Sequence, residues 1–353
     1  MDIEKRIELI TREPIEEVIT QEDLRKLLQT KDKPWAYDGF EPSGLLHLGS
    51  GILRAIKIQD LLDAKLGFIL WIADWFAWIN NKMGGDLNLI QKAGEYMIEG
   101  WKACGVDTKK LKVLWTSDAA DDKEYWKGVL EVAKQTTIQR TIRAGTIMGR
   151  EEKEMLYDAQ IFYPCMQAYD PFYFNADILQ LGMDQRKVMV LSREIAPKLK
   201  RTPPVICAHH LLIGLQGAEA GRMTADVKMS KSVPKGTIYI HDSKKEIEEK
   251  INSAFCPEKV VEGNPLLEIW RYIVFRKFDS RTIERPQKFG GNLELQSYGE
   301  LENIYKEGKL HPMDLKKGTI EALDEILAPA RKHFEKGKAK ELYEIVKRAE
   351  ITR

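Results

Sequence analysis

Apolar positions along this 353-residue chain fall into alternating helical and strand-like rhythms. Residues 5–30 read as one or two amphipathic helices, with Ile7, Ile10, Ile15, Val18, Leu24, Leu27 and Leu28 as the buried set. Glycines and a proline punctuate 37–50 and predict irregular backbone there. A helix follows over 52–66, carrying Leu53, Ile56, Ile58, Leu61 and Leu62 near 3.6-residue spacing. The run 68–73 is continuously apolar, as in a strand buried on both faces of a parallel sheet. A helix over 86–104 and a second apolar run over 111–115 repeat the alternation, which predicts a doubly wound parallel α/β fold. In such a fold, loops and ligands gather at the carboxyl ends of the strands. Charged helical sequence fills 121–150, and 157–173 is aromatic and polar together. A strand over 177–182, a helix ending near 199 and a last strand within 203–217 complete the pattern. Beyond 257 helical spacing dominates, through 266–275, then Ile320, Leu323, Ile326, Leu327, Ala330 and Phe334, then Leu342, Ile345 and Val346. The expected organisation is an N-terminal helical segment over 1–33, an α/β domain over 34–232, a linker over 233–258 and a smaller all-α domain over 259–353.

Composition narrows the function classes. An apolar content of 43% with 31% charged residues describes a soluble globular chain with ample core. A net charge of +1 carries no global nucleic-acid signal, so RNA contacts must come from local patches. The cysteines Cys104, Cys165, Cys207 and Cys256 lie far apart without a CxxC pair, which argues against a zinc site or disulfide framework and fits a reducing compartment. The N-terminus lacks the apolar run of a signal peptide, and no stretch approaches the ~20 apolar residues that span a bilayer. A cytoplasmic protein is expected. There are no internal repeats or low-complexity tracts.

Two stretches carry the chemistry. In Tyr37-Asp38-Gly39-Phe40-Glu41-Pro42-Ser43-Gly44-Leu45-Leu46-His47-Leu48-Gly49-Ser50, a small-residue loop delivers a histidine and a glycine onto a helix N-terminus. Free N–H groups and the helix dipole suit such a place to anions. Far downstream, Lys228-Met229-Ser230-Lys231-Ser232 gathers two cations and two hydroxyls in five residues. The pair resembles the HIGH and KMSKS motifs of class I aminoacyl-tRNA synthetases, and the surrounding text resembles the tyrosyl-tRNA synthetase family of archaeal and eukaryotic type. That likeness covers nearly the whole chain, weakest before residue 34 and between 119 and 156. It implies a Rossmann-like catalytic domain, an anticodon-binding helical domain, a homodimer, ATP with Mg²⁺, L-tyrosine and the tRNA for tyrosine.

The resemblance also assigns roles. Lys228 and Lys231 would stabilise the pyrophosphate leaving group, in a reaction that depends on positioning and electrostatics, while Ser230 and Ser232 bond phosphate oxygens or shape the loop. His47 would contact phosphate- or ribose-side oxygens, and Gly39 and Gly49 belong to the ATP site. Ser50 stands where the family has its final histidine; it can donate a hydrogen bond but carries no charge, which shifts work to the lysine loop. Tyr163, Gln167 and Asp170 fall at i, i+4 and i+7, one helix face. By resemblance Tyr163, Gln167 and Gln185 hold the amino-acid end, and Tyr37 with Asp170 reads the phenol, which is both donor and acceptor. A buried Tyr–Gln–Asp structural network is the alternative for these residues. Asp184 suits ribose hydroxyls or a helix N-cap. Asp74 is a candidate for the substrate ammonium, and Trp71, Trp75 and Trp78 read as core packing. Phe289 and His311 would stack unpaired anticodon bases, with Asp314 as base reader; Arg186 and Lys187 are candidate acceptor-end contacts. Arg140, Arg143 and Arg150 read first as a solvated helix face and second as phosphate contacts. No dedicated metal ligands stand out, and magnesium would come with ATP.

The expected reaction joins tyrosine to ATP as an adenylate with release of pyrophosphate, then moves tyrosine to the tRNA 3′ end. Three rivals remain in view. A tryptophanyl enzyme shares the motifs, but Tyr37 with Asp170 suits a phenol better than an indole, which offers one donor and no acceptor. A small-molecule adenylyltransferase leaves His311 and Asp314 unused. A catalytically inactive RNA-binding relative would fit Ser50 but not an intact lysine–serine loop.

Overall fold

The computed structural model describes residues 1–149, 153, 157–218, 228–230 and 233–351. The chain opens with α1 (Ile3–Thr11), β1 (Ile15–Ile19), α2 (Gln21–Thr30) and β2 (Trp35–Phe40). The segment expected to be wholly helical therefore contains a strand. Pro14 cannot continue a helix, and the β-branched Ile15, Val18 and Ile19 that follow pair antiparallel with the strand ending at His209. Ile15 and Val18 are half-buried on that strand, while Ile10, Leu24 and Leu28 are buried on the helices as expected.

After β2 come α3 (Arg54–Asp63), β3 (Gly67–Ile72), α4 (Asp74–Ile79), α5 (Leu87–Ala103), β4 (Leu111–Trp115) and α6 (Thr116–Ala120). A π-turn over Gly49–Leu53 leads into α3, so the helix effectively begins inside the first motif. Every residue of β3 is buried, as its unbroken apolar run predicts. Next are α7 (Lys123–Gln135), α8 (Ile138–Gly145), α9 (Asp158–Phe174), β5 (Ile178–Leu179), α10 (Arg186–Ile195) and β6 (Val205–His209). The sheet has six strands in the order β1-β6-β5-β2-β3-β4, parallel except for the edge strand β1. The order turns between β5 and β2, and a ligand crevice is expected above their carboxyl ends.

The remainder is α11 (Lys244–Ser253), α12 (Pro265–Ile269), α13 (Phe275–Lys277), β7 (Arg281–Ile283), β8 (Leu293–Leu295), α14 (Tyr298–Lys306), α15 (Pro312–His333) and α16 (Gly337–Ile351). This part is helical apart from the β7–β8 ribbon, paired Thr282 to Glu294, whose turn includes Gly290 and Gly291 at positive φ. One apolar cluster runs from Ile10 through Phe68 to Trp270, Leu315 and Val346, so the N-terminal and C-terminal segments share a core on one side of the sheet. A second cluster, with Tyr37, Trp71, Tyr125 and Phe174, fills the other side. Polar contacts reinforce the first. The buried Asp60 accepts from Arg12 of the N-terminal segment, Lys57 of α3 and Arg276 of α13. Among the described residues no helix is long and apolar enough to cross a membrane.

Candidate active site

The two motifs, far apart in sequence, are laced together by backbone bonds. Leu48 N donates to Ile238 O (3.0 Å) and Ile240 N to Leu46 O (3.1 Å), so the segment following the lysine loop lies antiparallel to the histidine loop. Met229 N donates to Leu212 O (2.7 Å), and Thr237 Oγ1 to Ser230 O (2.7 Å). Gly49 N donates to His47 Nδ1 (3.2 Å), and a Cβ at Gly49 would lie 3.1 Å from the imidazole, so the glycine lets His47 fold over its own turn. Ser50 Oγ accepts from His47 N (3.1 Å) and closes the same turn. From below, Tyr96 of α5 supports the loop: its hydroxyl accepts from Leu46 N (3.0 Å) and lies 2.7 Å from His241 Nε2. His241 is packed against Phe334 and Tyr343, and burial pushes its pKa down to about 3, so the ring is neutral. Lys231, Ser232 and Arg150 lie outside the described residues.

Between β2, β3 and α9 lies a cavity of about 500 Å³, with Tyr37, Tyr163, Gln167, Asp170 and Gln185 all in its lining. Pro164 and Pro171 sit inside α9, yet the helix presents Tyr163, Gln167 and Asp170 to the cavity together. Tyr163 donates to Glu41 Oε1 (2.6 Å); Gln167 Nε2 donates to Gln185 Oε1 (3.0 Å), and Gln185 Nε2 to Ile147 O (3.2 Å). Asp170 is almost fully buried, and Oδ1 accepts from the Tyr125 hydroxyl (2.9 Å). Burial pushes the Asp170 carboxyl well above the usual range, against the opposing pull of Tyr125 and Trp71, and burial likewise raises the Tyr37 phenol. Four buried polar atoms in this lining have no hydrogen-bond partner among the described residues: Asp38 Oδ1, Asp170 Oδ2, Gln167 Oε1 and Trp71 Nε1. Unpaired buried groups are costly, and clustered in one cavity they mark a place for a polar ligand.

Three members of this site escaped the sequence reading. Glu41 lies within the first motif without a chemical signal of its own; Trp71 reads as core; Tyr125 lies in an amphipathic helix 45 residues from the carboxylate it serves. Asp74 is outside the lining, its oxygens taken by Trp75 N (3.0 Å), Ser117 N (3.0 Å) and Gln91 Nε2 (3.1 Å). Gly39 lines this cavity and is absent from the second.

That second cavity, about 690 Å³, holds Gly49, His209 and His210 and shares His47, Ser50, Arg54, Asp184, Lys228 and Ser230 with the first. Lys228 Nζ is ion-paired with Asp184 Oδ2 at 2.9 Å. Beneath them Arg54 pairs with the buried Asp38, whose carboxyl burial pushes up to about 7 against the pull of the guanidinium. His209 Nδ1 accepts from Gln180 Nε2 (2.7 Å), and burial with the nearby Arg54 charge keeps the ring neutral. His210 differs: burial alone would lower its pKa, but Glu16 (2.5 Å) and Glu268 (3.0 Å) outweigh it and push it up to about 9.

The remaining sequence candidates lie apart. Phe289 is exposed, with Lys288 Nζ 4.9 Å from its ring centroid. His311 caps α15, its Nδ1 accepting from Met313 N (3.2 Å), and Asp314 stands in the first turn. Arg285 ties these places together by donating to Gly291 O (2.9 Å) and Lys309 O (2.9 Å). Arg186 is paired with Glu17 (2.6 Å), Lys187 donates to Thr146 Oγ1 (2.9 Å), and Arg140 pairs with Glu194 (2.9 Å). Arg143 is exposed.

The model of the family described as tRNA synthetases class I (W and Y) matches residues 29–328. A cytoplasmic tyrosine–tRNA ligase of Arabidopsis thaliana is 45% identical over 356 residues, covering all of this chain and 90% of the relative. A tyrosine–tRNA ligase of Saccharolobus islandicus is 44% identical over 346 residues, 95% of each chain. Among solved structures, the tyrosyl-tRNA synthetase of Pyrococcus horikoshii complexed with L-tyrosine superposes with a TM-score of 0.91 at 39% identity, covering 99% of this chain and 100% of that one.

Proposed function

The chain belongs to the tyrosine–tRNA ligase family of class I tRNA synthetases, and from that membership we propose that its joined cavities bind tyrosine and ATP and form tyrosyl-adenylate before charging the tRNA for tyrosine. The observation that carries the residue assignments is the buried, half-satisfied Asp170 at the floor of a cavity that opens between the two motifs. A phenol hydroxyl can donate to Asp170 Oδ2, and phenylalanine would leave that oxygen unpaired. Gln167 Oε1 is free to accept from the substrate ammonium, with Tyr163 and Gln185 shaping the same end. The carboxylate then faces the shared rim formed by His47, Ser50, Asp184 and Lys228.

There it attacks the α-phosphorus of ATP and pyrophosphate leaves. Substrate groups already carry the reacting charges, so the protein's task is positioning and electrostatic stabilisation, with no protein nucleophile. Without ATP, Asp184 holds Lys228; when ribose hydroxyls occupy Asp184, the ammonium is released to the phosphates, where Lys231, Ser230, His47 and the Gly49 backbone join it. Magnesium would enter on the phosphates, since Asp184, the carboxylate on the shared rim, is already paired with Lys228. In the second step a terminal ribose hydroxyl of tRNA takes the tyrosyl group. Phe289 and His311 stack anticodon bases, Asp314 reads one, and Arg186 and Lys187 exchange Glu17 and Thr146 for the acceptor end. On this reading 34–232 is the catalytic domain and 259–353 the anticodon-binding domain. Leu130 on α7 and Ile138 on α8 are exposed apolar side chains available to a homodimer contact. Four free cysteines and the cytoplasmic Arabidopsis relative support a cytoplasmic site of action.

ATP–pyrophosphate exchange with tyrosine, tryptophan and phenylalanine in parallel tests the proposal. Strong exchange with tyrosine is expected, with phenylalanine orders of magnitude weaker and tryptophan silent. Exchange with tryptophan would overturn the substrate assignment, and none with any amino acid, in protein that still binds tRNA, would overturn the catalytic one.

A further inference from the structure

We propose that Trp71 is a second reader of the substrate phenol, its indole N–H donating to the phenolic oxygen while the phenol proton goes to Asp170 Oδ2. The inference rests on the tyrosine reading of the cavity. In the β2–β3 register Tyr37 faces Ile69 and Gly39 faces Trp71, so with period-two alternation these four residues share one side of the sheet, the side toward α9. A Cβ at Gly39 would come within 3.2 Å of Trp71 Cδ1, the ring atom bonded to Nε1. The missing side chain is what lets the polar edge of the indole lie there, while Phe174 packs against its rings with centroids 4.5 Å apart.

Trp71 is 2% exposed, lines the cavity, and has no partner for Nε1 among the described residues. Buried indole N–H groups normally find one. The nearby Asp170 Oδ2 is the complementary orphan, an acceptor without a donor. The indole N–H is directed to the carboxylate and favours its ionised form, yet no hydrogen bond of ordinary length and angle joins Nε1 to Oδ2. A hydroxyl satisfies both at once, because it donates one hydrogen bond and accepts another. Phenylalanine satisfies neither. An indole substrate brings a donor that Asp170 could use but leaves the Trp71 N–H unpaired. Selectivity for the phenol therefore comes from two buried atoms of opposite character, one of them contributed by a residue that looks like core.

The test is Trp71→Phe, assayed by ATP–pyrophosphate exchange with tyrosine, phenylalanine and 4-aminophenylalanine. The aniline nitrogen donates to a carboxylate but is a poor acceptor, so it needs Asp170 and not Trp71. We expect kcat/KM for tyrosine to fall roughly 10- to 100-fold, the cost of one buried hydrogen bond left unmade, while the other two change by less than about threefold. Trp71→Leu, also apolar in this buried strand, is expected to give the same ratios; phenylalanine-dependent exchange and the melting midpoint report on folding in both variants. A uniform fall for all three substrates would mean Trp71 only packs. A parallel fall for tyrosine and 4-aminophenylalanine would mean it acts through Asp170, and an unchanged tyrosine value would mean it does neither; each result overturns the inference. Absence of tyrosine exchange in the unmodified protein would overturn the functional reading itself, a separate failure.

Discussion

His210 offers a direct measurement of how the N-terminal strand, the sheet and the C-terminal helices are held together. Its imidazole lies between Glu16 on β1 and Glu268 on α12, and it stacks on Tyr272 at 4.6 Å. The two carboxylates raise its pKa from 6.5 to about 9 against the cost of burial. A group whose pKa is higher folded than unfolded contributes its full stabilisation below the unfolded value and loses it as pH climbs through the folded one. The window is therefore pH 6.5 to 9. The rise corresponds to roughly 3 kcal/mol; Glu16 is 43% exposed, so screening trims this to about 2 kcal/mol. Urea unfolding of the unmodified protein and of His210→Gln, at intervals from pH 6 to 9.5, isolates the contribution as a difference. The unmodified protein is expected to be the more stable at pH 6 and to lose about 2 kcal/mol of that advantage by pH 9.5. Parallel pH curves for the two proteins would refute the bridging imidazolium.

Four further predictions follow from the site and its supports. Asp170→Asn should lower kcat/KM for tyrosine about 100-fold and narrow the gap to phenylalanine, read by pyrophosphate exchange, because an amide presents both a donor and an acceptor to the phenol. Lys228→Ala should lower kcat for tyrosine activation by about 10²-fold with little change in tyrosine KM, as for loss of a charge used mainly at the transition state. Phe289→Ala should leave pyrophosphate exchange intact and weaken tRNA charging by about 1–2 kcal/mol of stacking, measured as kcat/KM for tRNA. Asp60→Asn should destabilise the fold by about 3 kcal/mol in urea, since Lys57 and Arg276 would lose the carboxylate that meets them in the interior.

Much of the architecture was legible because each helix and strand has its own local signal. The apolar run of β3 predicts burial on both faces, and the i, i+4, i+7 spacing of Tyr163, Gln167 and Asp170 predicts a shared face that survives two internal prolines. Strand β1 was misread because five residues of mixed character fit either period, and its pairing with β6 depends on sequence almost 200 residues away. Pro14 was the available clue. Tyr125 and Trp71 show the limit more sharply. A tyrosine on an amphipathic helix and a tryptophan in a buried strand have ordinary core positions; only the meeting of α7, α9 and β3 reveals that Tyr125 bonds the Asp170 carboxylate and that the Trp71 N–H lies beside it without a partner. Ser50 posed the opposite problem. Its departure from the motif reads as lost charge, whereas the hydroxyl also has a local duty, closing the turn on His47.

The support beneath that turn bears on how separable the parts of this protein are. The loop that presents His47 rests on Tyr96, and Tyr96 meets a histidine enclosed by rings from α15's end and α16. The histidine loop is thus a bridge deck with its far pier standing among the last two helices. Cutting the chain in the 233–258 segment would free no self-sufficient activating unit; it would take away the masonry. Any change that reshapes or replaces the last two helices must carry a substitute for Phe334 and Tyr343, because those rings hold the histidine loop at its height.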